Sequence, residues 1–168
     1  MNIKLRLLKD NENDYKLLYK WYHNPMVYKY FEQKIPTYEE IVSKYLKRTR
    51  LDSITPVYII QCDSVPVGII QYTKLTNETK KIYDINLDGY EIDIFIGEEG
   101  YYHKGIGSLA IIELINRLKD NNLFVMVPEA DNINAIKCYE KVGFKKYKDI
   151  KEPNTIGIIK DKIVMIYK

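Results

Sequence analysis

The spacing of apolar residues changes period several times along the chain, and each change marks a predicted element. Ile3, Leu5 and Leu7 alternate with Lys4 and Arg6, the period of a strand over 2–9. Tyr15, Leu18, Tyr19 and Tyr22 then recur at helical spacing, with acids from Asp10 to Asp14 ahead of them, Pro25 as the expected stop and a short turn through Tyr30 after it. Thr37 and Glu40 stand in the capping-box relation and open a second helix, whose Tyr38, Ile41, Val42 and Tyr45 share a face. Two strands over 56–62 and 65–74 follow, joined tightly at Asp63 and Ser64. The polar stretch 76–86 reads as a substrate loop or a solvated connection. Beyond it the pattern predicts a strand over 89–97, a helix over 105–120 and an all-apolar strand over 123–127, suited to burial on both faces. Asp131 or Asn132 caps a further helix that Gly143 ends, and strands over 144–150 and 157–167 close the chain. The order βααβββαβαββ describes an α/β fold, a mixed sheet with helices on both faces.

Composition narrows the class. A chain of 168 residues is expected to form one domain, 1–168, with a core that needs no staples. No stretch approaches the roughly 20 apolar residues of a membrane span, and the N-terminus lacks the apolar centre of a signal peptide. A soluble, cytoplasmic protein without a membrane partner is the expectation. Cys62 and Cys138 have no spacing for a metal site or a redox pair, so buried thiols and no metal are expected. A net charge of +3 is too mild to argue for nucleic acid. The small basic cluster Lys44, Lys47, Arg48 and Arg50 reads as one solvated helix face.

Candidate chemistry begins at Tyr101-Tyr102-His103-Lys104-Gly105-Ile106-Gly107-Ser108, between a predicted strand and a predicted helix. Two glycines one residue apart let the backbone fold closely, and the helix start offers unpaired N–H groups at a positive dipole end. That combination suits a phosphate or pyrophosphate. A dinucleotide loop would need a third glycine where Ala110 stands, and a Walker loop would need a Gly-Lys-Ser/Thr ending. Neither fits, and a plain tight turn remains a competitor on these residues alone.

Tyr102 to Gly107 resembles the acetyl-coenzyme A loop of the GNAT superfamily of N-acetyltransferases, Q/R-x-x-G-x-G/A. The run from Asn132 to Phe144 is similar to that superfamily's N-x-x-A-x-x-x-Y-x-x-x-G-F segment. The family's Gln/Arg position is Tyr102 here. The resemblance covers essentially the whole chain and implies the GNAT fold, splayed between the fourth and fifth strands to admit acetyl-CoA. It implies cofactor contacts from His103, Lys104, Gly105, Ile106, Gly107 and Ser108 at the pyrophosphate. Asn132 and Ala135 would meet the pantetheine arm, and Ile94, Phe95 and Ile96 would meet the thioester, with a bulge in that strand. Tyr139 matches the tyrosine whose hydroxyl meets the coenzyme sulfur.

The segment from Tyr90 to Gly105 looks like the aminoglycoside 6'-N-acetyltransferases, where an aspartate at the Asp93 position contacts the reacting amine. Alternation puts Glu91, Asp93 and Phe95 on one face, and a mid-sheet carboxylate needs a cleft or a partner. Asp93 and Tyr139 are therefore the expected catalytic pair. Trp21, Asp84, Glu91, Asp93 and Glu129 are the expected acceptor contacts; Glu129 is offered because Val127 replaces an acid that such enzymes often carry before proline. The run 82–100 holds Asp84, Asp88, Glu91, Asp93, Glu98 and Glu99 and no Lys or Arg, which favours a cationic acceptor. The resemblance implies transfer to an aminoglycoside 6'-amine, with a peptide N-terminus or small polyamine as the enzymatic alternative. An acyl-CoA-sensing binding module is the non-enzymatic one. Monomer and homodimer both stay open.

Overall fold

The computed structural model describes residues 1–118 and 123–168, with every side chain but that of Glu32. Seven strands form one sheet in the order β1-β2-β3-β4-β5-β7-β6. They are β1 (Ile3–Leu7), β2 (Val57–Cys62), β3 (Val65–Lys74), β4 (Gly89–Ile96), β5 (Leu123–Met126), β6 (Lys145–Pro153) and β7 (Ile159–Tyr167). Only β4 and β5 run parallel. This is the mixed sheet read from the sequence.

Helices α1 (Glu12–Tyr22) and α3 (Tyr38–Leu46) cover one face, where Leu18, Trp21, Tyr22, Ile41 and Tyr45 pack on Val57, Ile59, Ile69 and Phe95. The long helix α5 (Ile106–Arg117) covers the other, where Ile106, Ala110, Ile111 and Leu114 pack on Ile60, Ile70 and Ile92. Helix α6 (Ile133–Val142) lies beside it and contributes Tyr139 to the same cluster. Alternation along β2 and β4 feeds both layers, because neighbouring side chains leave opposite faces of a pleated strand. The predicted helix end near 120 lies outside the described residues.

Two elements differ from expectation. α1 ends at Tyr22, ahead of Pro25 as expected, but the turn that follows is helical: the Asn24 side chain caps a short α2 (Pro25–Val27). Proline's missing N–H costs nothing at that first position. A π-helical turn, Tyr28–Glu32, continues it until Gln33 adopts φ 56° and turns the chain away. The polar stretch after Leu75 contains a helix, α4 (Asn77–Tyr83), capped by Thr76 and anchored by the buried Tyr83. Seven residues with Ile82 and Tyr83 as the only apolar ones show no helical period, so the pattern hides it.

The sheet opens where it was expected to. β4 pairs with β5 only at Gly89, Tyr90 and Glu91; beyond them β4 follows β3 to Ile96, while β5 follows β7. The expected bulge is absent: β3 and β4 pair in unbroken register from Tyr90 to Ile96. The splay comes from the early parting of β5 instead.

Candidate active site

The parting of β4 and β5 leaves a cleft of about 710 Å³ that runs from the glycine loop to the turn after α2. Strand alternation decides what β4 shows it. The N–H of Gly97 donates to Val67 O on the β3 side, so the odd-numbered residues of β4 aim their main chain at β3. The N–H and C=O groups of Ile94 and Ile96 consequently face the opening, with no strand beside them. Those of Phe95 face β3, which removes it as a main-chain contact.

At one end the loop meets the start of α5. Gly105 has φ +76°, a backbone that L side chains rarely adopt, and no side chain caps the helix that follows it. The N–H groups of Ile106, Gly107 and Ser108 belong to the first turn, which has no intrahelical acceptors. Gly107 serves packing: a Cβ there would lie 3.2 Å from Cys138 Sγ, so glycine lets α5 approach α6. Lys104, Lys137 and Lys141 line this half, and a Cβ on Gly105 would lie 3.9 Å from Lys141 Nζ. Uncapped donors with three nearby cations fit a pyrophosphate. His103 also lines the cleft, at φ 57°. Tyr102 accepts from Asn24 Nδ2 at 2.7 Å and ties the α1–α2 corner to the loop.

On the opposing wall, Asn132 Oδ1 accepts from Ala135 N at 3.2 Å and caps α6, and both residues line the cleft. Tyr139 is buried yet reaches the cleft wall, and no group among the described residues hydrogen-bonds its hydroxyl. Burial pushes its phenol well above the usual tyrosine range, and nearby Cys138 and Asp93 push the same way. It therefore meets the cleft as a protonated hydroxyl.

The other half of the cleft is acidic. Asp93 Oδ2 accepts from Gln71 Nε2 at 3.0 Å, and Gln71 Oε1 accepts from Arg48 Nη1 at 2.7 Å. Glu91, two residues earlier on the same face, is pushed up to about 7 by burial and then by the Asp93 charge. The Tyr83 hydroxyl donates to it at 3.1 Å. Glu129 is buried, accepts from Gln33 Nε2 at 3.3 Å and lies 3.4 Å from Lys160 Nζ. Glu152 joins from β6, and Lys162 Nζ sits 3.3 Å from it. Lys44 also lines this half; burial, then Arg48, pull its ammonium down to about 8 against the opposing pull of Asp93.

Most of the residues expected at the site from the sequence thus share one cleft: Glu91, Asp93, Ile94, Phe95 (by its side chain), Ile96, His103 to Ser108, Glu129, Asn132, Ala135 and Tyr139. Trp21 does not. It is fully buried in the α1 face, with its ring against the Gly97 backbone and Nε1 donating to Glu98 Oε1 at 2.8 Å. Asp84 does not either; it ends α4 at φ 60°, and its carbonyl accepts from Tyr147 Oη at 2.7 Å. The acidic run is dispersed as well, since Asp88 pairs with Lys80 and Glu98 with Lys20. Nor is the basic cluster one solvated face, because Arg48 reaches inward to Gln71 and Lys44 lines the cleft. Gln71, Arg48 and Glu152 go unnoticed as site residues in the sequence. Gln71 carries one signal: a lone amide in an otherwise apolar stretch of β3.

Comparison with known proteins agrees with this architecture. A family model described as the acetyltransferase (GNAT) domain matches residues 10–151. An aminoglycoside N(6')-acetyltransferase type 1 from Klebsiella pneumoniae is 27% identical over 163 residues, 91% of this chain and 79% of that protein. The acetyltransferase PseH of Campylobacter jejuni is 25% identical, with 89% of each chain covered. Among solved structures, aminoglycoside acetyltransferase AAC(6')-Ib in complex with coenzyme A superposes with a TM-score of 0.82 at 21% identity, covering 99% of this chain and 95% of that one. That last likeness speaks for the fold. Among the described residues, no helix is long and apolar enough to cross a membrane. With a splayed β4–β5 sheet, an uncapped glycine-loop helix and a family model spanning most of its length, the chain belongs to the GNAT acetyltransferase family.

Proposed function

We propose that this chain, acting as a single catalytic domain, moves the acetyl group of acetyl-CoA onto a primary amine of a cationic small molecule, with the 6'-amine of an aminoglycoside as the leading acceptor. One observation carries the reading: Asp93 projects into the cleft beside the unpaired main chain of Ile94 and Ile96. Acetyl-CoA supplies an activated thioester carbonyl. The N–H groups of Ile106, Gly107 and Ser108, with Lys104, Lys137 and Lys141, hold the pyrophosphate, while Asn132 and Ala135 border the arm. The N–H of Ile94 or Ile96 meets the thioester oxygen as negative charge develops on it.

Asp93 binds and orients the acceptor, helped by Glu91 and Glu129. A carboxylate beside an ammonium opposes its deprotonation, so Asp93 first serves as an anchor. The ammonium must first lose a proton to solvent in the cleft, since only the free amine carries a lone pair. As the nitrogen–carbon bond then forms, the nitrogen becomes acidic and Asp93 takes its second proton, directly or through water. The carbon–sulfur bond then breaks, and the Tyr139 hydroxyl gives its proton to the sulfur. Solvent returns a proton to Tyr139 and removes the one on Asp93. An acceptor that arrives as ammonium thus yields amide, free thiol and one released proton.

A peptide N-terminus is the second reading. Lys44 on the acceptor wall favours it, because a polycation meets repulsion there that a single amine avoids.

Thiol release measured with aminoglycosides, peptides and polyamines separates these acceptors. Turnover should be fastest with an amino-sugar and should fall about 10²-fold in Tyr139→Phe, the low end for a positioned acid, without loss of coenzyme affinity. Coenzyme binding with no thiol release from any amine would contradict the enzymatic reading and favour a sensing module. Full turnover in Tyr139→Phe with an unchanged pH profile would remove the acid role.

A further inference from the structure

We infer that Arg48 and Gln71 are positioning residues that act on Asp93 from behind, fixing which oxygen of its carboxylate meets the acceptor amine. The inference rests on the acetyltransferase reading above. It starts from three elements converging on one line: the tail of α3 supplies Arg48, β3 supplies Gln71 and β4 supplies Asp93. Gln71 and Asp93 are direct cross-strand partners. Gln71 is buried, with 6% exposure, so water does not compete freely for its amide.

The chemistry of an amide makes the line directional. A guanidinium only donates and an ionised carboxylate only accepts. Gln71 must therefore turn Oε1 to Arg48 and Nε2 to Asp93, as it does at 2.7 and 3.0 Å. The flipped amide would set donor against donor and acceptor against acceptor. Arg48 thereby locks the orientation of a group it touches and, through it, the rotation of one it does not. Arg48 is itself held, with its guanidinium 5.2 Å from the Tyr45 ring centroid. With one bond from Gln71 already on Oδ2, Oδ1 of Asp93 is the oxygen with both lone pairs open to the amine. The guanidinium also places a permanent positive charge behind Gln71, on the side away from Asp93.

Charges facing Asp93 come from several elements. Glu91 shares its strand, Lys44 and Tyr45 face it from α3, Tyr22 from α1, Tyr83 from α4 and Tyr139 from α6. The buried tyrosines stay protonated through neutrality. Removing Arg48 relieves its repulsion of Lys44, which then holds its proton more firmly and offsets part of the lost charge. Gln71 still loses the donor that fixes its amide, so the Asp93 carboxylate loses the partner that sets its rotation.

The test compares Arg48→Met and Arg48→Lys in the full chain, using acetyl-CoA and the best amine from the acceptor panel. Arg48→Met should raise the acceptor KM about 10-fold, with coenzyme KM unchanged. Arg48→Lys, which keeps a charge and a donor, should restore most of that loss. The side-chain amide signals of Gln71 should shift in Arg48→Met, a readout that needs no turnover. An active wild type with an unchanged acceptor KM and unmoved Gln71 amide signals in Arg48→Met overturns the inference alone. So does a loss in Arg48→Met that Arg48→Lys fails to rescue and that extends to the coenzyme. A wild type that acetylates no amine overturns this inference together with the function it rests on.

Discussion

Asp93→Asn is expected to lower kcat/KM for the amine acceptor by about 10²–10⁴-fold, the range lost when a positioned acid–base group is removed. The side chains are nearly isosteric, so the cleft should keep its shape and the coenzyme its affinity. Two effects combine in the loss. An amide carries no charge to hold an ammonium, and it cannot take the proton that leaves the nitrogen once attack begins. Gln71 sharpens the effect, because its Nε2 is locked towards this position and obliges the new side chain to turn an oxygen to it. The nitrogen of the substituted side chain would then point at the incoming amine, a donor facing a donor. Steady-state kinetics at several pH values, with coenzyme affinity measured separately, checks this. A variant within a few-fold of wild type would assign Asp93 to structure instead.

Trp21→Ala is expected to cost about 3–5 kcal/mol of folding stability, the usual cost of deleting a buried large aromatic side chain. The indole is fully buried between α1 and β4, meets Phe95 edge-on at 6.1 Å between centroids, and bonds Glu98. Its deletion leaves a cavity against Gly97, whose missing Cβ is what allows the ring to lie there. Against a typical total of about 5–15 kcal/mol, the loss is a large share. Denaturant unfolding should show the midpoint fall, while the acceptor KM of the folded protein at low temperature stays near wild type. An unchanged midpoint with a raised KM would make Trp21 a substrate contact after all.

Trp21 also shows where sequence reading stops. Helical spacing in α1 correctly marks Tyr15, Leu18 and Tyr22 as inward. The buried stripe, however, runs through Asp14 and Trp21 and leaves Tyr19 half out. A single period does not fix the rotation of a helix to within one residue. The strands and glycine-bounded helices were legible because period-two alternation and glycine turns are local properties. So were the loop and the Asn132–Phe144 run, whose residue types follow one another in a family pattern that is local in sequence. α4 was hidden by its brevity. The acceptor half was only partly legible for a different reason: Arg48, Gln71 and Asp93 lie far apart in sequence, and only strand register and the tail of α3 bring them together. Glu129 and Glu152 reach the cleft from loop and edge strand in the same way, whereas the contiguous acidic run from Asp84 to Glu99 scatters around the molecule.

All of this chemistry requires that the opening between β4 and β5 receive the acyl carrier along its unpaired main chain. Amide-resolved titration of the isotopically labelled protein with coenzyme A tests that requirement without any acceptor. Saturable shifts are expected at Ile106, Gly107 and Ser108 and at Ile94 or Ile96, with Trp21 and α4 unmoved. Saturation that leaves those amides in place, or that maps outside this opening, would refute it.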